Sequence, residues 1–81
     1  MIERAIQVNE SFEPNFAGLL VQKASQFKSR ILLIAGEKTA NAKSIMGIIS
    51  MDLQSGNIVT IIVEGEDAQQ ALPEIETIIG G

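Results

Sequence analysis

Few side chains in this sequence of 81 residues are suited to chemistry, because it contains no histidine and no cysteine. Their absence removes the usual general base, the usual zinc ligand and any thiolate nucleophile or disulfide. What remains is a hydroxyl and a carboxylate at two predicted helix starts. Ser44 heads the almost wholly apolar run in "NAKSIMGIISM", and Glu13 precedes Pro14 in "SFEPNF". A serine oxygen before a helix accepts a hydrogen bond from a free first-turn N–H, and the same hydroxyl is open to phosphorylation. An acid before Pro14 can serve the first-turn amides of its own helix in the same way. The fragments "GEKT" and "AKS" lack the G-x-x-x-x-G-K-[ST] spacing of a phosphate-binding loop, which argues against nucleotide hydrolysis. The ten acidic residues show no metal-binding spacing, so neither a metal nor another cofactor is expected.

The formal charge of −4 and a pI near 4.6, with only six scattered basic residues, argue against direct nucleic-acid binding. No run approaches the roughly 18–20 apolar residues of a membrane span, and "MIERAIQVNE" has acids where a secretion signal needs a basic start. A cytoplasmic protein without membrane contact is expected. Its length suggests one domain over residues 1–81.

The elements that must position Ser44 and Glu13 follow from periodicity. "IERAIQV" reads as a first strand, and Ala17, Leu20, Val21, Ala24 and Phe27 form a helical stripe from Pro14 to Phe27. "RILLIAG" and "EKTANAK" flank a glycine turn, with the first strand of that hairpin the more buried. "NIVTIIVEG" reads as a central strand, and "EDAQQALPEIETII" as a last helix with acids favoured at its start and a kink or early break at Pro73. The order βαββαβα predicts an α+β fold, an antiparallel sheet with helices on one face.

In the second helix Ser44 is the expected N-cap, accepting from the N–H of Met46 or Gly47. Ile45, Met46, Ile48, Ile49, Met51 and Leu53 wrap too far around a short helix for a small core to hide them all. Neighbours lie about 100° apart on a helix, so one of Ile45 and Met46, and one of Ile48 and Ile49, is expected to be exposed. Patterning leaves open which one, and leaves a crowded core helix as the competing reading.

"LLVQKASQF", then "NAKSIMGIISM", then "GEDAQQAL" together resemble the HPr family of the bacterial sugar phosphotransferase system over nearly the whole chain. The resemblance implies an open-faced β-sandwich, four antiparallel strands covered on one face by three helices. "KSIMG" is similar to the regulatory serine segment of Gram-positive members, which implies that Ser44 is phosphorylated by a bifunctional HPr kinase/phosphorylase. The family's phosphocarrier motif, Gly-x-His-Ala-Arg-Pro, aligns here with Ser11, Phe12, Glu13, Pro14, Asn15 and Phe16. Glu13 stands at the histidine and Asn15 at the arginine, leaving a degenerate phosphocarrier site. A phosphoramidate cannot form on a carboxylate, and an amide lacks the guanidinium that pairs with phosphate.

The pattern therefore resembles the Crh-like branch, which lacks the active histidine and acts as a phosphoserine-dependent corepressor for a LacI-type catabolite control repressor. By that resemblance Ile45, Met46 and Ile49 face the partner beside Ser44, while Ile48 and Met51 point inward. Asp52, where relatives usually have a small residue, and Ile49, in place of a methionine, depart from the pattern. Glu13 has two readings, a helix cap or a fixed negative charge mimicking phosphate. The expected function is a non-enzymatic regulatory binding module. The alternative is a structural HPr-fold subunit that self-associates, for example as a homodimer, with no phosphorylation-dependent role.

Overall fold

The computed structural model describes residues 1–9 and 14–80. Its elements are β1 (Ile2–Gln7), α1 (Pro14–Ala24), β2 (Arg30–Ala35), β3 (Lys38–Asn41), α2 (Ile45–Met51), β4 (Ile58–Glu64) and α3 (Ala68–Gly80). The strands form one antiparallel sheet in the order β1-β4-β2-β3, so the β-branched run of β4 is central, as its composition predicts. Val59, Ile61 and Val63 alternate into the core from β4, joined by Ile31 and Leu33 of β2 and by buried residues of all three helices. Leu32 and Ile62 pair on the opposite face. The β2–β3 turn has Gly36 at φ 62°, at the first position of a two-residue loop, where glycine is favoured. No helix among the described residues is long and apolar enough to cross a membrane.

Four expectations are corrected. Helix α1 ends at Ala24 rather than Phe27, because Gln26 and Phe27 bond three residues back, to the carbonyls of Lys23 and Ala24, which tightens and closes the last turn. Leu53 lies beyond α2: Asp52 adopts the left-handed conformation (φ 49°), returns its N–H to the carbonyl of Ile49 and ends the helix, leaving Leu53 buried outside it. Helix α3 does not break at Pro73 but continues to Gly80. Leu72 and Ile75 anchor it in the core on either side, while Gln69 and Pro73 lie on the exposed side. Its first turn, moreover, holds no acid.

The acids before α3 have other work. The Asp67 carboxylate accepts hydrogen bonds from the N–H groups of Lys28 (2.8 Å) and Ser29 (2.9 Å) and from the Ser29 hydroxyl. Glu66 pairs with Lys28 at 3.4 Å. Gly65, at φ 149°, lies so close that a β-carbon there would come within 2.6 Å of the Ser29 Cα. The turn between α1 and β2 is thus fastened to the head of α3. The Ser29 hydroxyl, followed by the Lys28 amide, holds the Asp67 carboxyl below its ordinary value of 3.8. A group depressed on folding stabilises above its unfolded pKa and loses that contribution as pH falls through the folded value. The difference in urea midpoint between wild type and Asp67→Asn should hold steady down to about pH 5 and shrink below about pH 4. A difference that grows on acidification would contradict this role for Asp67.

Candidate functional site

The approach to α2 is built by short-range bonds. The Asn41 side chain accepts from the Lys43 N–H and its carbonyl from the Ser44 N–H, both at 2.9 Å, forming a turn that delivers Ser44 in an extended conformation (φ −110°, ψ 112°). Ser44 Oγ accepts from the Gly47 N–H at 3.1 Å, and its carbonyl accepts the first helical bond from Ile48 at 3.0 Å. Ser44 is the N-cap, with Gly47 as the donor. A β-carbon at Gly47 would sit 3.3 Å from Ser44 Oγ and 3.4 Å from the Ala40 side chain. Glycine at position 47 keeps the space beside the hydroxyl uncrowded, and Ser44 is exposed.

The exposure left open by patterning resolves cleanly. Ile48 and Met51 are 0% and 4% exposed, whereas Ile45, Met46 and Ile49 are 39%, 68% and 44% exposed. The three exposed residues flank Ser44 on the outer face of α2. Ile45 Cδ1 lies 3.8 Å from the position of a β-carbon on Gly18, so α1 and α2 form adjoining surface there. Leu19, next to Gly18 and off the buried stripe of α1, is also exposed. In the sequence, the one signal of this exposure is that Leu19 falls outside the stripe of Ala17, Leu20 and Ala24.

Asn15 is exposed in the first turn of α1, while Glu13, the other member of the degenerate phosphocarrier site, lies outside the described residues. Two lysines missed by sequence reasoning complete the frame of α2. Lys38 Nζ donates to the carbonyl of Met51 at 3.4 Å, placing a cation at the helix C-terminus, and Lys43 Nζ donates to the carbonyl of Phe27 at 2.8 Å. Neither contact leaves a local sequence signal, since each joins separate elements.

The comparisons with known proteins bear on family and fold. A family model described as the PTS HPr component phosphorylation site matches residues 4–80. The chain belongs to the HPr family. Among curated relatives, the HPr-like protein Crh of Halalkalibacterium halodurans is 37% identical over 81 aligned residues, covering 98% of this chain and 96% of its own. Crh of Bacillus subtilis is 36% identical, covering 98% and 95%. The crystal structure of HPr from Bacillus anthracis superposes with a TM-score of 0.91 at 36% identity, over 96% of this chain and 95% of that one. The expected HPr-like open sheet with three helices is the fold observed.

Substitutions separate the two faces of α2. Ser44→Ala should cost about 1 kcal/mol through loss of the cap. Ile48→Ala should cost about 2–5 kcal/mol, and Ile49→Ala no more than about 0.5 kcal/mol, in urea unfolding. Equal losses at positions 48 and 49 would contradict this assignment of faces.

Proposed function

We propose that this protein is a Crh-like regulatory member of the HPr family, acting in bacterial sugar phosphotransferase and carbon catabolite control, in the cytoplasm, through binding rather than catalysis. The observation that carries the reading is the exposed Ser44 hydroxyl beside exposed Ile45, Met46 and Ile49, in an HPr-family chain with no histidine. HPr kinase/phosphorylase transfers the γ-phosphoryl group of ATP to Ser44 Oγ, releasing ADP. The hydroxyl then carries roughly −1.5 to −2 charge next to an apolar surface. A partner that reads both features needs a cationic group set beside an apolar groove, and a LacI-type catabolite control repressor is the partner proposed. Glu13 and Asn15 take no part in phosphate carriage, because neither can form a phosphoramidate and Asn15 lacks the guanidinium that would pair with its charge.

The test is incubation with HPr kinase/phosphorylase and ATP followed by intact mass. Wild type should gain one phosphate and Ser44→Ala none; an unmodified wild type, or equal yields, would sink the proposal. In parallel, ³²P from phosphoenolpyruvate should not transfer to this chain under conditions that label a histidine-containing HPr.

One set of observations favours the alternative of self-association. The crystal structure of Bacillus subtilis Crh, similar to this chain with a TM-score of 0.78, is described as a dimer with a swapping domain. An HPr from Thermoanaerobacter tengcongensis, with a TM-score of 0.76, is also described as a dimer. Sedimentation of the unmodified chain distinguishes the two readings, because the structural-subunit alternative requires an oligomer without phosphate.

A further inference from the structure

We propose that Lys43 is a positioning residue for the Ser44 hydroxyl, the near end of a brace that runs from Asp67 through the α1–β2 turn to the approach of α2. This deepens the phosphorylation reading of Ser44 and rests on it only in the last arm of the test below.

A surface lysine is strongly hydrated and rotationally free, so its commitment to one carbonyl requires that carbonyl to be fixed. Lys43 is half-buried, and its ammonium donates to the Phe27 carbonyl at 2.8 Å. That carbonyl belongs to a turn held on both sides. The Phe27 N–H bonds back to Ala24 at 3.2 Å, and the next two amides, of Lys28 and Ser29, both donate to the Asp67 carboxylate. Ser29 is itself buried, and Gly65 lies so near it that no side chain would fit between them.

At the other end, residue 43 is pinned twice. Its N–H donates to the Asn41 side chain, and its own side chain reaches Phe27. The preceding Ala42 is buried and donates to the Ile31 carbonyl at 2.9 Å. With the backbone registered on β2 and the side chain on the turn, the residue before Ser44 is held at both ends, and Ser44 Oγ meets the Gly47 N–H. Asp67 therefore influences Ser44 without touching it. It immobilises the carbonyl that immobilises Lys43.

Amide hydrogen exchange on the unmodified protein reads the brace directly, with Gly47 reporting the Ser44 cap and Ile61, at the centre of the sheet, reporting global opening. Lys43→Met, which keeps the apolar stem, should speed Gly47 exchange about tenfold relative to Ile61, and Lys43→Arg should restore it to within about threefold of wild type. Asp67→Asn should speed Gly47 exchange about threefold in the wild-type background and add nothing in Lys43→Met, the non-additivity expected of one connected chain of contacts. Equal acceleration at Gly47 and Ile61, failure of arginine to rescue, or full additivity of the two substitutions would each overturn the brace. In the last arm, kcat/KM for phosphorylation of Ser44 by HPr kinase/phosphorylase should fall in Asp67→Asn, a site remote from the acceptor, and an unchanged value would overturn the positioning role. A wild type that accepts no phosphate defeats the phosphorylation reading instead, and the exchange measurements still decide the brace.

Discussion

Helix α2 is seven residues long, well short of the roughly 12–15 at which an isolated helix becomes even marginally stable. Everything the candidate site presents therefore depends on contacts that hold this segment from outside. Ile48 and Met51 insert into the core, Ser44 caps one end, and the left-handed Asp52 with the Lys38 ammonium closes the other. Because only two of its large side chains are anchored, the helix can turn Ile45, Met46 and Ile49 outward without giving up its place. A longer helix with the same apolar content would have offered the core more purchase and the surface less.

The sheet makes that anchoring possible. Strand β4 sits between β1 and β2, and its alternation sends Val59, Ile61 and Val63 toward all three helices. On the edge strand β1 the same face carries Arg4, opposite Ile61, and this residue reaches Glu76 of α3 at 3.1 Å. A charged residue on the covered face is tolerated there because an edge strand lies at the rim of the core, where the ion pair keeps contact with water. At the opposite rim, β3 offers only Ala40 to the core, and α2 packs beside it with Gly47 close to that alanine. Small residues at positions 40 and 47 let α2 approach the sheet closely.

Much of this was legible in the sequence, and the reason lies in the range of the interactions. The element order, the central place of the β-branched run and the cap at Ser44 are set by period, propensity and neighbours within three or four residues. The orientation of α2 was not legible from patterning, since Ile48 and Ile49 are chemically alike and only the position of the sheet decides between them. Resemblance to relatives supplied that orientation. The Asp67 contacts were illegible for another reason: the carboxylate meets amides 38 and 39 positions away, and nothing near residue 67 marks it as different from an acid serving the dipole of its own helix. Of the kink or early break expected at Pro73, the early break does not occur: local propensity does not register the burial of Leu72 and Ile75 on either side.

The chemistry open to an HPr fold divides by the atom that holds the phosphate. On an imidazole nitrogen the group is a labile phosphoramidate, suited to onward transfer, and the site needs a cation and accessible amides to manage it. On a serine oxygen it is an ester that persists until an enzyme removes it, and so acts as a lasting change of charge rather than as cargo. Under the proposed function, a chain without histidine uses the second option. For that purpose the site offers a capped hydroxyl at the edge of an exposed apolar surface. Lys43 and Lys38, donating to the carbonyls of Phe27 and Met51, help hold the two ends of the helix that carries it, and their positive charges remain because a carbonyl does not neutralise an ammonium.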